Sequence, residues 1–411
     1  MSKAKQGPSS KGPKRPTGGK PGGELLGLYC KKTLEWRVGG RSLRLAVPVS
    51  VFSSFQVDRG TRALVAAMAA RGRTWDWALD LGCGYGPIGL YLAAAGLARH
   101  VEAVDRDAVA VAFCRHNAEA NGLGQQLAAR GAIAYEGFEP RHYDVIATNL
   151  PAKAGEPVHR LMLLGAQPHI RPGGEVWAVV VAPLAPRIEE ILAAGAVDVL
   201  AAVAKGGHVI YNYAFTGRPD VPDAPYLRGR VSFCWRKHAY ALDALHGLKE
   251  FDTRSWATDL LLEAFRHLAR RQAVGGLVVC NGQQGHLPIL ACRLAPGIRD
   301  VTLVSRDLIA LQAARVNLLA AGYEGAVRGV HTPGFEPGWD APRPYVALAV
   351  LNEKEGLEVN AAKLRSLLDA CRGGCVIAGC KAGFGSRLGK ALGARVSSQR
   401  KRKAFCAFVV R

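Results

Sequence analysis

The strongest constraint on this chain is that its 411 residues carry the same pattern twice. At an offset of 200, VEAVDRD (Val101–Asp107) lies over VTLVSRD (Val301–Asp307), Asn117 over Asn317 and Gly122 over Gly322. PGGEVWAVV (Pro172–Val180) lies over RGGCVIAGC (Arg372–Cys380) at the same offset, and Trp36-Arg37 meets Trp235-Arg236 within one residue of it. KAFCAFVV (Lys403–Val410) echoes GGHVIYNY (Gly206–Tyr213). A register held over roughly 170 residues with small slips is a tandem duplication, so one supersecondary pattern must be built twice.

That pattern alternates short apolar runs with helical spacing. In the first copy WALDL (Trp77–Leu81) is strand-like, GPIGLYLAAAG (Gly86–Gly96) has helical spacing, and HVEAVD (His100–Asp105) is a strand. DAVAVAFCRHNAEANG is a helix ending at the C-capping Gly122. YDVIATN (Tyr143–Asn149), a helix through Leu161–Ala166 and EVWAVVV (Glu175–Val181) follow. The alternation predicts an α/β chain of two tandem Rossmann-like domains. Each is a mostly parallel sheet closed by an antiparallel pair, Val199–Ala204 with His208–Tyr213 in the first. Glu35–Val47 reads as a hairpin around Gly39-Gly40, and the last part of Val51–Met68 is helical. The boundaries follow: a basic tail over 1–23, a first domain over 24–216, a Pro- and Gly-rich linker over 217–230 and a second domain over 231–411.

With 54 Lys and Arg against 33 Asp and Glu, the formal charge is +21, which favours a polyanionic partner, RNA in particular. The tail, MSKAKQGPSSKGPKRPTGGKPGG, lacks the apolar stretch of a secretory signal. No apolar run reaches the 18 or so residues of a membrane span. The ten cysteines are scattered, and Cys375 and Cys380 fall in an apolar strand pattern. A metal site is therefore not expected, and a reducing, cytoplasmic compartment is the simpler account.

Chemistry concentrates in the first copy. In ALDLGCGYGPIG (Ala78–Gly89) a strand runs through a glycine loop into a helix. Gly82, Gly84 and Gly86, with Cys83 between them, let backbone approach a ligand closely. Asp105 ends the next strand, where a carboxylate can take both ribose hydroxyls. Such a loop also serves nicotinamide enzymes. Asp80 favours S-adenosylmethionine, because an acid there suits a cationic methionyl end and repels a pyrophosphate; its alternative role is to cap the turn.

DLGCGYG, Asp105 and Asn149-Leu150-Pro151 resemble the class I methyltransferases. VPVSVFSSFQVDRGTRAL, ahead of the glycine loop, resembles the two-domain bacterial ribosomal RNA guanine-N2 methyltransferases of the small and large subunits. The resemblance runs from Trp36 to Arg411 and implies S-adenosylmethionine as cofactor, with Asp80, Gly82, Cys83, Gly84, Gly86 and Asp105 around it. It also implies Glu136 near the adenine, although a solvated loop carboxylate is an equal reading. In those families the intact copy is the C-terminal one, whereas here it is the first. The resemblance further implies that Asn149, the Leu150 carbonyl and Pro151 receive a planar amine, with Asn149 and Leu150 accepting its two N–H bonds. The aromatic that ends the family's motif is Ala152 here, which cannot stack on a base. Phe52 or Phe55 is a candidate substitute, each also a candidate for core packing. Lys153 is either a phosphate contact or a solvated lysine.

The second copy has lost these groups. At the 200-residue offset Cys280, Gln284 and His286 stand opposite Asp80, Gly84 and Gly86, Ser305 stands opposite Asp105, and Pro333 falls near Glu136. VLNEKEG (Val350–Gly356) replaces the Asn-Leu-Pro stretch. The second domain is thus read as degenerate, kept for support or RNA docking. His286 is not read as a catalyst, and the basic run Arg400–Lys403 is read as a solvated turn or an RNA contact. The expected function is methyl transfer to an exocyclic base amine of ribosomal RNA, guanine N2 being favoured, by a monomer acting on RNA or a ribosomal subunit. A protein glutamine N-methyltransferase and a non-catalytic RNA-binding or assembly protein are the alternatives. Pyrimidine C5 chemistry is disfavoured because Tyr143–Gly155 holds no nucleophilic cysteine.

Overall fold

A computed structural model describes residues 24–38, 40–51, 56–140, 142–334, 346–371, 374–393 and 396–411. The tail over 1–23 lies outside the described residues, as do Phe52 and Phe55.

After a short helix α1 (Glu24–Tyr29), strands β1 (Cys30–Val38) and β2 (Arg41–Pro48) form an antiparallel hairpin. Along β1 the side chains alternate between half-buried and exposed, as a strand covering one surface requires. Helix α2 (Arg59–Ala70) begins at Asp58, whose carboxylate accepts from the Thr61 amide at 3.2 Å as an N-cap. Then come β3 (Trp75–Leu81), α3 (Pro87–Ala94), β4 (Ala98–Asp105), α4 (Ala108–Ala120), β5 (Leu127–Gly131) and β6 (Tyr143–Asn149). The first domain closes with α5 (Glu156–Leu164), β7 (Ile170–Val181), α6 (Ala185–Ala193), β8 (Val197–Lys205) and β9 (His208–Phe215). Its seven strands lie in the order β5-β4-β3-β6-β7-β9-β8, and within this sheet β9 alone runs opposite to the other six. The order reverses beside β3, and the crevice past the carboxyl ends of β3, β4 and β6 is where such sheets hold ligands.

The second domain repeats this. Its hairpin is β10 (Leu227–Trp235) and β11 (His238–Leu245), followed by α7 (Trp256–Ala269), β12 (Gly276–Cys280), α8 (His286–Leu294), β13 (Asp300–Ser305), α9 (Leu308–Ala320) and β14 (Ala326–His331). β15 (Val346–Val350), α10 (Leu357–Ala370), β16 (Cys375–Lys381), α11 (Ala382–Leu392), β17 (Val396–Arg402) and β18 (Phe405–Val410) complete it. The strand order β14-β13-β12-β15-β16-β18-β17 matches the first sheet element by element.

Three sequence expectations shift. Helix α5 starts at Glu156 rather than Leu161, because Gly155 (φ 92°) turns the chain and Pro157 sets the first helical turn. The linker ends sooner than 230, since Leu227 already pairs with Leu245. The register between copies also slips by one residue at the glycine loop. Gly82 N donates to Val104 O at 2.9 Å, and it is Asn281 N that donates to Val304 O at 2.9 Å. The counterparts of Asp80, Gly82, Gly84 and Gly86 are therefore Val279, Asn281, Gln283 and Gly285, not the residues at a uniform offset.

Asn117 and Asn317 show why the repeat keeps them. Buried Asn117 exchanges two hydrogen bonds with the Ala46 backbone (2.7 and 3.0 Å) and donates to Tyr85 O at 2.9 Å. Asn317 does the same with Asp243 (2.8 and 2.9 Å) and Gln284 O (2.8 Å). Each asparagine pins a hairpin to its own glycine loop.

The domains dock reciprocally through the Arg-Asp pairs that follow β4 and β13. Ala108 N donates to Arg306 O at 2.8 Å and Leu308 N to Arg106 O at 3.1 Å. Arg306 forms a two-pronged ion pair with Asp107, and Arg106 reaches Asp307 at 3.5 Å. Arg306 also meets Glu355 at 3.1 Å, and Glu355 meets Lys363 at 2.7 Å. Cys375 and Cys380 are buried in β16, and no group of metal ligands occurs among the described residues. No helix of the described residues is long and apolar enough to cross a membrane.

Candidate active site

A cavity of about 690 Å³ opens past the carboxyl ends of β3, β4 and β6. Gly82, Cys83 and Gly84 form its floor, Asp105 one side, and Asn149, Leu150 and Pro151 the other. Gly82 (φ 78°) and Gly84 (φ 57°) adopt the left-handed conformation that turns the strand sharply into its helix. A Cβ on Gly84 would meet no protein atom within 4 Å, so the space beside it is open to a ligand.

Asp105 is held by two backbone donors, Gly84 N at 3.0 Å and Asp107 N at 2.9 Å, one on each carboxylate oxygen. Each oxygen retains a lone pair for a hydroxyl in the cavity. Burial, with Asp107 adding like charge, pushes the carboxyl up to about 6, so it is ionised at neutral pH.

Three expected residues stand elsewhere. Asp80 does not line the cavity. Side chains alternate across β3, so Leu79 and Leu81 face one apolar cluster and Ala78 the other. Asp80 shares the side of Ala78, fully buried, and one carboxylate oxygen accepts from Gly89 N at 2.8 Å in the first turn of α3. It acts as the helix-capping carboxylate, and burial raises it to about 7. Its other oxygen has no partner. Gly86 (φ 94°) serves packing: a Cβ there would lie 2.7 Å from Cys114 Sγ. Glu136 is set back from the cavity, in contact with Gln312 of the second domain, and Ala132 and Ala134 line the wall in its place.

The acceptor side holds residues that were not expected. The Asn149 side-chain amide donates to Asp58 Oδ2 at 3.1 Å and to Thr61 Oγ1 at 3.0 Å. A carboxylate only accepts, so Asp58 must face the NH₂ group, and the Asn149 carbonyl oxygen is left as the acceptor. Asp58 and Thr61 thus orient Asn149 as well as capping α2. His208, the first residue of β9, also lines the cavity, 4.0 Å from Asp58. The signal was present as Asp58 within VDRGT, a capping residue ahead of a helix, but its partner lies 91 residues away. The Leu150 amide is tied to Val179 O at 2.9 Å and the Pro151 carbonyl accepts from Ala154 N at 3.1 Å, which fixes the turn carrying the Leu150 carbonyl. Ala152 and Lys153 line the cavity, and Tyr226 and His246 of the second copy's hairpin close it.

Residues 42–212 match the methyltransferase small domain family. The protein YbxB of Bacillus subtilis is 30% identical over 150 residues, covering 36% of this chain and 74% of its own length. This chain belongs to the methyltransferase small domain family. Ribosomal RNA small subunit methyltransferase C of Acinetobacter baumannii is 29% identical over 156 residues, 36% of this chain and 44% of that enzyme. Ribosomal RNA large subunit methyltransferase G of Streptomyces coelicolor is 32% identical over 134 residues, 31% of this chain and 35% of that enzyme. The match therefore spans less than half the length of either enzyme. The Thermus thermophilus 16S rRNA N2 G1207 methyltransferase, solved with AdoMet and guanosine, superposes over 93% of this chain and 98% of its own with a TM-score of 0.66 at 19% identity. The family is that of a methyltransferase domain, and the Thermus enzyme of the same fold holds AdoMet as its cofactor. The cavity fits that cofactor through the half-buried Asp105 carboxylate and the open space beside Gly84.

Proposed function

We propose that this protein methylates an exocyclic base amine of ribosomal RNA, with guanine N2 as the acceptor atom. The observation that carries the reading is the enforced orientation of Asn149, whose amide is held by Asp58 and Thr61 so that its carbonyl is available to an amine. An exocyclic amine is planar because its lone pair conjugates with the ring. Accepting both N–H bonds, at Asn149 Oδ1 and the Leu150 carbonyl, holds the nitrogen while its lone pair turns toward the carbon it attacks. S-adenosylmethionine, when bound, supplies an electrophilic methyl carbon on a cationic sulfur. A new N–C bond forms as the C–S bond breaks, and the surplus proton leaves the nitrogen for solvent. The protein's contribution is position and fixed dipoles: Asp105 and the glycine loop at one end, Asn149 and Leu150 at the other.

RNA rather than protein as acceptor is supported by the +21 charge and by the names of the ribosomal RNA relatives. Guanine N2 is supported by the guanosine bound to the Thermus enzyme of the same fold. The test is nucleoside mass spectrometry of ribosomal RNA with and without the gene. Loss of one N2-methylguanosine is the expected result, and an unchanged N2-methylguanosine content refutes the target. Methylated glutamine in a ribosome-associated protein would reassign the same Asn149 site to a peptide acceptor.

A further inference from the structure

We propose that the second domain is part of the ligand site: Tyr226 and His246, where its hairpin meets the first domain, form the outer wall against cofactor and acceptor respectively. The inference rests on the methyl-transfer reading and gives the cofactor-less copy a task within it.

Tyr226 precedes β10 and His246 follows β11, clasped together by the His246 amide on the Tyr226 carbonyl at 2.8 Å. Both line the cavity of the first domain. Tyr226 stands at the cofactor end, where Asp105, Arg106 and Glu136 act on its hydroxyl. His246 stands at the acceptor end, over the loop that follows Asn149. A Cβ on Gly155 would approach its Nδ1 to 3.2 Å. Burial and the nearby Arg228 keep the imidazole below its usual range, so it is a neutral ring at physiological pH.

The first copy makes the same clasp in the opposite direction. The Val49 amide donates to the Tyr29 carbonyl at 2.8 Å, and Tyr29 reaches the rim of the second domain's vestigial site. Its hydroxyl donates to Pro333 O at 2.8 Å and its ring lies beside Arg306 and Lys363. That site has shrunk to about 20 Å³. Each hairpin stays on its own domain, and the tyrosine at its foot reaches toward the site of the other copy. Tyr29 packs against Pro333, Arg306 and Lys363 at the rim of the site that has lost its glycines, and Tyr226 borders the one that kept them. The Tyr226 ring packs against the apolar core on one side and borders the cavity with Asp105 and the bare loop on the other, and that second side is assigned to the ligand.

The test uses the full chain. Calorimetry with S-adenosylmethionine is expected to show a Kd at least tenfold weaker for Tyr226→Ala, with Tyr226→Phe within threefold of wild type because the ring makes the contact. Tyr29→Ala is expected to lower Tm while leaving that Kd unchanged. With ribosomal RNA from cells lacking the gene as acceptor, His246→Ala is expected to raise KM at least fivefold with S-adenosylmethionine affinity intact, and His246→Phe to restore it. If wild type binds the cofactor and Tyr226→Ala and Tyr226→Phe bind it equally well, the second domain is no part of the cofactor site. An unchanged KM for His246→Ala overturns the acceptor assignment. If wild type itself binds no S-adenosylmethionine, the methyl-transfer reading fails and this inference falls with it. The Tm of each variant separates a lost contact from a lost fold.

Discussion

Asp58→Ala tests whether Asn149 is held in its working orientation. Asp58 Oδ2 accepts from the Asn149 amide at 3.1 Å and from the Thr61 backbone amide at 3.2 Å, so the change removes a positioning contact and a helix cap together. A hydrogen bond to a charged group contributes about 1.5–3 kcal/mol. At about 1.4 kcal/mol per factor of ten, its loss in the transition state lowers kcat by about ten- to a hundredfold. Thr61 Oγ1, at 3.0 Å, still holds one amide proton, which places the expectation near tenfold. Lost capping costs about 1 kcal/mol of stability. Asp58→Asn separates the two effects, because asparagine caps helices as well as aspartate but offers Asn149 only a neutral acceptor. Its Tm should match wild type while kcat stays reduced severalfold. The assay is single-turnover methyl transfer under saturating cofactor, with thermal denaturation alongside. If Asp58→Ala loses stability as expected but keeps kcat within twofold of wild type, Asp58 is a cap and nothing more.

Protonation of Asp105 should govern cofactor affinity. The carboxyl is raised to about 6, so below that pH it loses acceptor capacity for ribose hydroxyls. S-adenosylmethionine binding is expected to weaken as pH falls through 6, and Asp105→Asn to bind weakly without that inflection; a flat wild-type profile from pH 5 to 8 refutes it. Because Asp105 and Asp80 (about 7) hold protons more tightly folded than unfolded, each lowers stability as pH rises from about 4 to its folded value, with no further effect above it. Arg306→Ala removes the shared cation between Asp107 and buried Glu355 and is expected to cost about 3–5 kcal/mol in urea denaturation; a cost below about 1 kcal/mol would refute the interface as described.

Much of the fold was legible because the duplication supplied two readings of each element. Tyr143–Asn149 is legible as a strand residue for residue, since its apolar run is bounded by turn chemistry at both ends. Gly82, Gly84 and Asp105 were legible because backbone conformation and strand ends are local properties. Asp80 adjoins the glycine loop without lining the cavity, because the period of two along β3 turns that carboxylate to the far face. Of the two readings of Glu136 the sequence could not choose, as the loop after β5 has no periodicity to set side-chain direction, and the side chain stands back from the cavity. Asp58, Thr61, Tyr226 and His246 were invisible as site residues because their roles arise from long-range contacts, two within the first domain and two across the domain boundary. No local pattern encodes how two copies dock.

The second copy shows what losing a ligand demands of a fold. Its loop keeps the left-handed backbone of the first, yet Asn281 (φ 57°) and Gln283 (φ 47°) occupy the positions of Gly82 and Gly84. Side chains there carry a conformational cost that glycine avoids, and they grow into the space a cofactor would need. Both are engaged: the Asn281 amide donates to Val350 O at 2.8 Å, and Gln283 Oε1 accepts from Lys249 N at 3.3 Å. An aspartate at position 305 would be a buried anion with no ribose hydroxyls to receive. Ser305 removes that charge and still accepts from Asp307 N at 3.1 Å, as Asp105 accepts from Asp107 N. The Asp307 cap and the docking loop survive while the groups facing the lost site are replaced by ones that satisfy their neighbours. Such replacement leaves intact the loop by which the second copy meets the first, with Leu308 N on Arg106 O and Arg306 on Asp107.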